Sequence, residues 1–190
     1  MKPRLGTPAA LRRRLSVVRL LAFDVDGVLT DGGILVHPDG GESKWFHVRD
    51  GLGIVGALRA GLLVAFVSGR RSVAVAARAR ELGITSDRQG VKDKAAEMRA
   101  LRAELGVSRE EIAFLGDDIV DLPAYAESGV AVAVADAHPR ALAAADAVCA
   151  ADGGRGAARE LVEAVLLARG LGDALPGIAP PGRGKRLRRE

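Results

Sequence analysis

The sequence predicts an α/β fold, a doubly wound parallel sheet covered by helices on both faces. Short apolar runs typical of buried strands alternate along the chain with stretches in which apolar residues have helical spacing. Such alternation favours a parallel sheet between two helical layers. The 190 residues, of which 48% are hydrophobic, have the length of one domain and can form a core. Full disorder is therefore excluded.

Four apolar runs indicate the strands of this sheet. LLAFDV and IAFLGDD stop at acidic residues, and GLLVAFVSG stops at small ones. A short apolar run that ends at polar or small residues is typical of a buried parallel strand. The predicted strands are 20–25, 61–69, 112–118 and 130–134, with 145–148 as a short edge strand.

Helical patterns occupy most of the intervals between these strands. In the clearest case, five apolar residues from Val91 to Leu105 repeat every three or four positions, and Gly106 ends the helix. The predicted helices are 50–60, 71–82, 91–105 and 156–169. After the first strand, ILVH and KWFHV flank the turn sequence HPDGGES, a pattern that predicts a small β-hairpin flap over 33–48.

Basic residues are concentrated at the two ends of the chain. Residues 1–19 hold six basic residues and no acid, and residues 183–190 hold five basic residues and one acid. The whole chain has a net charge of +4, so the body between these ends is acidic. We expect the ends to be solvated, flexible extensions without a nucleic-acid partner. The predicted organisation is a basic leader at 1–17, a folded domain at 18–170 and a Pro/Gly-rich basic tail at 171–190.

Composition disfavours several classes of function. Aromatic residues are 3% of the chain, too few for a protein that stacks bases on exposed rings. Apolar runs fall short of the roughly 20 residues that span a bilayer, so we expect no membrane partner. Cys149 is the one cysteine, which excludes an internal disulfide and a multi-cysteine zinc site. We expect it to be a small buried side chain in a protein of the reducing cytoplasm.

Three of the predicted strands end in groups that suit a common ligand site. Asp24 and Asp26 end the first strand, Ser68 ends the second, and Asp117 with Asp118 ends the third. Ligands of parallel α/β sheets bind outside the carboxyl ends of the strands, so these groups are expected to meet in one crevice. Close carboxylates repel unless a proton or a cation intervenes, and Mg²⁺ prefers such oxygen ligands.

These residue types supply the parts of a metal-assisted phosphoryl transfer. A carboxylate such as Asp24 can attack phosphorus while a neighbouring carboxyl group protonates the leaving group. Lys94 and Ser68, with the amides that follow Ser68, are suited to bind phosphate oxygens. Taken alone, Asp118 and Asp121 are more typical of turn or cap residues. The order and placement of the whole set favour a phosphoryl-transfer site.

The motifs DVDGVLTDG, VSGR, the helix that begins near Lys94 and GDDIVD resemble the four motifs of the haloacid dehalogenase superfamily over about residues 18–170. The resemblance implies that Asp24 is the nucleophile, through an aspartyl-phosphate intermediate, and that Asp26 is the general acid and base. It implies Mg²⁺ held by the Asp24 side chain, the Asp26 backbone carbonyl and the Asp117 side chain. The implied phosphate ligands are Ser68, Gly69 and Lys94, and the implied supports of the metal shell are Asp118 and Asp121.

The spacing of these motifs leaves no room for a cap domain. Asp24 and Ser68 are 44 positions apart, and Ser68 and Lys94 are 26 positions apart. Neither interval fits a further domain of typical size. An active site without a cap domain is open to water. We expect a neighbouring subunit to supply the residues that enclose it. We therefore expect a homo-oligomer built around the hairpin, with Trp45 and Phe46 in an interface or flap; simple hairpin packing of these two residues is the alternative.

A finer resemblance gives expectations about the substrate. FHVRDGLGI, QGVKDK, VADAHP and GGRGA are similar to capless, tetrameric family members that hydrolyse phosphates of long acidic sugars. Arg70 and Glu81 match enzymes of an eight-carbon sugar acid rather than a nine-carbon sialic-type acid, whereas Val55 departs from that pattern. The GGRGA loop at 153–157 is expected to approach a neighbouring site. The implied substrate contacts are Thr30, His47, Val48, Arg49, Asp50, Gly51, Arg70 and Arg78.

Two alternatives come from other classes of function. One is a non-catalytic module that binds Mg²⁺ and phosphate, and the pair of Asp24 and Asp26 argues against it, because a binding module needs no general acid. The other is a nucleic-acid protein that acts through the basic ends of the chain. His37, His47 and His138 have no metal-ligand partner at a useful spacing, so surface or capping roles are expected for them.

Overall fold

The computed structural model describes residue 5 and residues 8–174, and a six-stranded sheet forms the centre of the fold. The strands of the sheet, numbered along the chain, are β1 (Leu20–Phe23), β4 (Leu63–Ser68), β5 (Ser86–Gln89), β6 (Ile112–Gly116), β7 (Val130–Ala133) and β8 (Ala147–Val148). Their spatial order is β5-β4-β1-β6-β7-β8, and every neighbouring pair is parallel. The two intervening strands, β2 (Leu35–Val36) and β3 (Glu42–Ser43), form a separate antiparallel hairpin.

Helices form a layer on each side of the sheet. They are α1 (Ala9–Leu15), α2 (Val48–Arg59), α3 (Val73–Leu82), α4 (Lys94–Leu105), α5 (Leu122–Ala126), α6 (Pro139–Ala144) and α7 (Ala157–Ala168). The first group of mutually packed helices is α1, α2, α3 and α7, and the second is α4, α5 and α6. The predicted α/β class with a doubly wound parallel sheet is confirmed.

The central strand β1 is entirely buried, and its register sets the position of the polar residues beyond it. Phe23 at its end pairs with Phe66 of β4 on one side and with Leu115 of β6 on the other. The three strands therefore end at nearly the same level. The backbone amide of Asp24 extends the pairing by donating to the carbonyl of Leu115 at 3.0 Å. Parallel pairing in this register brings the residues after β1, β4 and β6 to one edge.

The predicted elements are present in the expected order, but several boundaries differ. The second arm predicted for the hairpin, KWFHV, is wrong: β3 covers Glu42–Ser43, and α2 already begins at Val48. The Nδ1 atom of His47 accepts a hydrogen bond from the amide of Arg49 at 3.2 Å and so caps α2. Helix α4 begins at Lys94 rather than Val91, because the Asp93 side chain caps it by accepting from the amide of Ala96 at 3.0 Å.

The expectation of a solvated leader is wrong for residues 9–15. These residues form α1, which packs on α7 with Leu11 and Leu15 buried. The two leucines lie four positions apart and therefore share one helix face, while most of the basic residues lie outside it. Arg14 connects the helix to the body through a 2.8 Å ion pair with Asp146. The boundaries at 17 and 171 stay predictions, and residues 175–190 of the predicted tail lie outside the described residues.

Across the described part of the chain, each helix is too short or too polar to cross a lipid bilayer. Cys149 is buried, as expected, and burial raises the pKa of its thiol. The thiol is therefore inert as a nucleophile near neutral pH.

Leu15→Ala is expected to destabilise the protein by about 2–5 kcal/mol, because it leaves a cavity between α1 and α7. The matched control is Val17→Ala, at a position that is half-exposed, which is expected to change stability by no more than about 0.5 kcal/mol. Urea titration followed by circular dichroism measures both. Equal, small effects of the two substitutions would mean that α1 is detached from the folded body in solution.

Candidate active site

Asp24 lies at the carboxyl end of the central strand and is almost fully buried. Its Oδ1 atom accepts a hydrogen bond from the amide of Val25 at 2.7 Å, and its Oδ2 atom lies 3.0 Å from Nζ of Lys94. Both carboxylate oxygens are thus held in place by the protein. A fixed carboxylate at the mouth of the sheet is suited to act as a nucleophile.

Lys94 is the first residue of α4, and it is buried between two carboxylates. Its Nζ atom lies 2.6 Å from Oδ1 of Asp121 as well as 3.0 Å from Asp24. Burial disfavours the charged form of the lysine, but the two carboxylates outweigh burial and raise the pKa of Lys94. The ammonium group is therefore a permanent positive charge beside Asp24.

Asp117 follows β6 and completes a cluster of three carboxylates. Asp24, Asp117 and Asp121 each offer an oxygen, and these atoms lie within 4.8 Å of one another. Burial, followed by the charges of Asp24 and Asp121, raises the pKa of Asp117 to about 8. Burial and the charge of Asp121, opposed by Lys94, raise the pKa of Asp24 to about 7. One lysine does not neutralise three acids.

A divalent cation fits this cluster. The Oδ1 atom of Asp117 is buried and finds no hydrogen-bond donor within the described residues. A buried carboxylate oxygen without a donor, beside a second carboxylate, is a suitable ligand for a hard cation such as Mg²⁺. The residues that would hold the ion are Asp24 and Asp117 through their side chains, with the Asp26 carbonyl as the third ligand implied by the motif resemblance.

Asp121 holds Lys94 and the loop that carries Asp117 in place. Its Oδ1 atom binds Lys94, and its Oδ2 atom accepts from the amides of Asp117 at 2.9 Å and Asp118 at 3.2 Å. Asp118 uses its own side chain to cap the following turn, where its Oδ1 atom accepts from Ile119 at 2.6 Å. Both residues thus shape the loop that carries Asp117, which is compatible with the supporting role predicted for them.

The loop after β1 is held by buried contacts. Gly27 has a left-handed φ of +85°, and a Cβ atom there would overlap the carboxylate of Asp117. Thr30 is fully buried, and its hydroxyl group bonds the carbonyl of Val25 at 3.4 Å and accepts from the amide of Gly32 at 3.3 Å. The threonine therefore fixes the loop, and its predicted contact with a substrate stays a prediction.

The GGRGA loop packs on the loop after β1 of its own chain. The amide of Gly154 donates to the carbonyl of Val28 at 2.8 Å. A Cβ atom at Gly153 or Gly154 would overlap the backbone at Gly27 or Thr30, so glycine is required at both positions. In this structure the loop supports the site from within the chain, and its approach to a neighbouring site stays a prediction.

Ser68 and Gly69 lie at the end of β4, next to the central strand. The Oγ atom of Ser68 accepts a hydrogen bond from the amide of Arg70 at 3.2 Å, and its carbonyl accepts from the amide of Val91 at 3.0 Å. Gly69 is exposed. These contacts place the hydroxyl and the following amides at the same sheet edge as Asp24, and their role as phosphate ligands stays a prediction.

Asp26 faces the hairpin and meets side chains that sequence reasoning missed. Lys44 forms an ion pair with its Oδ1 atom, and Nε of Arg70 lies 3.8 Å from its Oδ2 atom. Glu42 pairs with the same two cations, at 3.7 Å from Nζ of Lys44 and 3.0 Å from Nη2 of Arg70. The lysine lies within KWFHV, but the sequence contains no signal that its side chain turns back onto Asp26.

The other predicted substrate contacts lie around the start of α2. Asp50 is buried, and its Oδ1 atom accepts from the amide of Arg159 at 2.8 Å near the start of α7. Burial, opposed by that amide, raises the pKa of Asp50. Arg78 binds Glu81 at 2.8 Å and stacks over the ring of Phe46 at 5.9 Å. The remaining residues of this group are His47, Val48 and Arg49, partly or fully exposed, and the buried Gly51.

The geometry of Asp50 and Arg78 shows roles in holding α2 against α7 and α3. Their predicted contact with a substrate stays a prediction. His47 and His138 cap α2 and α6, the latter by accepting from the amide of Arg140 at 3.1 Å, so the expected capping roles are confirmed for these two histidines. His37 binds Oγ of Ser43 at 2.9 Å inside the hairpin.

Two buried carboxylates with a lysine between them, a third carboxylate that is partly buried and a fourth acid nearby define the site of an α/β phosphoryl-transfer hydrolase. The profile of the haloacid dehalogenase-like hydrolases matches residues 88–161. The 3-deoxy-D-manno-octulosonate 8-phosphate phosphatase of Escherichia coli K12 is 44% identical over 160 residues, which cover 84% of this chain and 85% of the relative. The chain belongs to the haloacid dehalogenase-like hydrolase family.

Solved structures show the same similarity. The 3-deoxy-D-manno-octulosonate 8-phosphate phosphatase of Yersinia pestis superposes with a TM-score of 0.84 at 43% identity, covering 89% of this chain and 90% of that one. The enzyme of Moraxella catarrhalis, solved with a magnesium ion, a phosphate ion and a KDO molecule, gives a TM-score of 0.83 at 37% identity. The match covers 86% of this chain and 94% of the Moraxella catarrhalis chain.

The raised pKa values of Asp24 and Asp117 predict how stability depends on pH. Both lie above about 3.9, the ordinary pKa of an unfolded aspartate, so the metal-free fold binds more protons than the unfolded chain between roughly pH 4 and 8. The stability that these groups contribute at low pH is therefore lost as the pH rises through about 7 to 8. Since Mg²⁺ binds the ionised carboxylates, its stabilising effect increases over the same range.

Thermal unfolding with EDTA and with millimolar Mg²⁺, at pH values between about 5 and 9, measures this effect. We expect the Mg²⁺-dependent gain in Tm to rise with pH in the wild type and to be absent in Asp117→Asn. The metal-free variant is expected to be more stable than the metal-free wild type above about pH 8, because one buried charge is gone. A Mg²⁺-dependent gain that persists in Asp117→Asn would exclude Asp117 as a ligand.

Proposed function

We propose that the protein is a Mg²⁺-dependent phosphatase that hydrolyses 3-deoxy-D-manno-octulosonate 8-phosphate to KDO and inorganic phosphate. The observation that carries the proposal is the cluster of Asp24, Lys94 and Asp117, with Asp26 two positions after the nucleophile. The identity of 44% to the Escherichia coli phosphatase of this substrate supports it. So does the Moraxella catarrhalis structure, which holds magnesium, phosphate and KDO.

In the first half of the reaction, an Asp24 carboxylate oxygen attacks phosphorus. The bond from phosphorus to the sugar oxygen breaks, Asp26 donates a proton to that oxygen, and an aspartyl phosphate remains on Asp24. In the second half, Asp26 takes a proton from water, the water oxygen attacks phosphorus, and Asp24 is regenerated with release of inorganic phosphate. Mg²⁺ supplies positive charge that offsets the repulsion between the carboxylates and the anionic substrate.

The remaining residues hold the phosphoryl group during transfer. Lys94 presents a charge that Asp24 and Asp121 keep in place, with contacts of 3.0 and 2.6 Å. Ser68 and the amide of Gly69 offer hydrogen-bond donors at the neighbouring strand end. Donors fixed before the substrate arrives stabilise the charge that develops on the transferring group.

The eight-carbon sugar acid is the favoured substrate, and a nine-carbon sialic-type acid 9-phosphate is the alternative. Arg70, which is about half exposed beside Asp26, is suited to a sugar carboxylate because a guanidinium group binds carboxylates with paired hydrogen bonds. Val55 is half-buried and packs against the core. We place the reaction in the synthesis of a lipopolysaccharide sugar in the cytoplasm.

We further propose that the protein is a homotetramer in which the hairpin contacts a neighbouring subunit. The hairpin and the residues that follow it expose four large apolar side chains, Leu35, Val36, Trp45 and Val48. Val73 is also exposed, at the start of α3, the helix that contacts β3. Trp45 is 79% exposed, which is costly for an indole ring in water. Exposed apolar groups that cluster in this way favour a protein interface.

Phosphate release from a panel of sugar phosphates, with Mg²⁺ and with EDTA, tests the activity. The panel holds the octulosonate 8-phosphate, a sialic-type 9-phosphate, a hexose 6-phosphate and phosphoserine. We expect Mg²⁺-dependent release that is fastest for the first, and loss of turnover by at least about 10³-fold in Asp24→Asn, because the nucleophile is removed. Retained hydrolysis in the variant contradicts the assignment of Asp24, and preference for another sugar contradicts the substrate.

Substitution of Trp45 by serine tests the assembly. Light scattering after size exclusion is expected to give a tetramer for the wild type and smaller species for Trp45→Ser, because the variant removes apolar interface area. Phe46→Ser is not a suitable control, since that ring packs against the core. Val17→Ser is the matched control, at an exposed apolar position of another surface. A monomeric wild type excludes the proposed assembly.

A further inference from the structure

The side chains around Asp26 form a closed ring of ion pairs. Each oxygen of the Asp26 carboxylate meets one cation, Oδ1 with Lys44 and Oδ2 with Arg70. Each oxygen of the Glu42 carboxylate also meets one, Oε1 with Lys44 at 3.7 Å and Oε2 with Arg70 at 3.0 Å. We call these four residues the ion-pair ring. It joins the hairpin, the loop after β1 and the loop after β4.

The two cations of the ring differ in exposure. The side chain of Lys44 has no exposed surface, whereas that of Arg70 is 52% exposed. The enclosed lysine is thus fixed on Asp26, while the arginine remains open to a ligand from solvent. A buried ammonium group needs a charged partner close to it, and Glu42, 3.7 Å from Nζ of Lys44, remains that partner when Asp26 carries the proton that it donates.

Glu42 is the ionised carboxylate that the hairpin contributes to the ion-pair ring. A hydrogen bond from the Ser72 side chain and the contact with Arg70 lower the pKa of Glu42. The glutamate therefore stays ionised near neutral pH and holds both cations toward Asp26. Because Lys44 pairs with Oδ1 of Asp26 and Arg70 lies 3.8 Å from Oδ2, the ring favours one orientation of that side chain.

We propose that Lys44 is a positioning residue that orients the carboxyl group of Asp26 toward the leaving-group oxygen. The inference rests on the proposed function, in which Asp26 gives its proton to the sugar oxygen as the phosphorus–oxygen bond breaks. The electron pair of that bond stays on the sugar oxygen, the proton joins it, and Asp26 is left as a carboxylate between Lys44 and Arg70. Correct orientation matters most where the leaving group needs the proton.

The leaving group of the substrate distinguishes this role from a purely structural one. A sugar alkoxide is a poor leaving group and needs protonation, whereas 4-nitrophenolate leaves as an anion. Single-turnover rates of the Mg²⁺-loaded enzyme in excess over substrate, measured by rapid quench, report the first bond cleavage for both kinds of substrate. The two substrates are octulosonate 8-phosphate and 4-nitrophenyl phosphate.

For Lys44→Met we expect the single-turnover rate with the sugar phosphate to fall by at least about tenfold, and that with the nitrophenyl ester by less than about threefold. Lys44→Arg is expected to restore most of the loss, because it returns a cation. Arg59→Met is the matched control for net charge; this exposed residue ends α2 just before β4 begins, at the opposite edge of the sheet. It is expected to leave both rates unchanged.

Equal falls for both substrates, or no fall for either, overturn the inference while leaving the proposed function intact. Absence of phosphate release from every sugar phosphate by the wild type overturns both. Glu42→Gln, which keeps Lys44 but removes its second acidic partner, gives the same comparison where Lys44→Met does not fold. It is expected to shift the ratio of the two rates in the same direction.

Discussion

Uncompensated negative charge at the carboxyl end of the central strands is the constraint on which the rest of the structure depends. Asp24, Asp117 and Asp121 approach within 4.8 Å, and Lys94 is the cation held between two of them. Such a cluster is costly in a folded protein, as the raised pKa values of Asp24 and Asp117 indicate. The same excess charge makes the cluster a good binder of a divalent cation and a reactive centre.

A rigid frame is needed to keep these charges together, and backbone contacts provide it. Asp121 accepts two amides from the loop that carries Asp117, so the loop cannot relax away from the cluster. On the other side, Gly27 lies so close to the Asp117 carboxylate, and Gly153 so close to the backbone of Gly27, that a Cβ atom at either position would overlap its neighbours. The repulsion between the carboxylates is therefore opposed by packing of the loop before α7 on the loop after β1.

Sequence reasoning found the cluster because parallel topology brings strand ends to one edge, so residues 24 and 117 are neighbours whatever the details of packing. It missed Lys44 and Glu42, since the side on which a short hairpin docks is set by long-range contacts and not by local pattern. It also missed α1, because only two leucines form its apolar face and three consecutive arginines separate them in the sequence. For Asp50 and Arg78, motif resemblance implied substrate contact, whereas their environments are set by α7, Glu81 and Phe46.

The hairpin shows how a family member without a cap domain organises its open site. Glu42 and Lys44 of this segment turn toward Asp26, while Trp45, the next residue, points to solvent. Burial of Trp45 in the proposed tetramer would also hold Glu42 and Lys44 in place, because the three residues belong to one short segment. Assembly and orientation of the general acid would then depend on the same local structure. A cap domain is unnecessary where a subunit contact fixes the carboxyl group of Asp26, which donates the proton to the leaving-group oxygen.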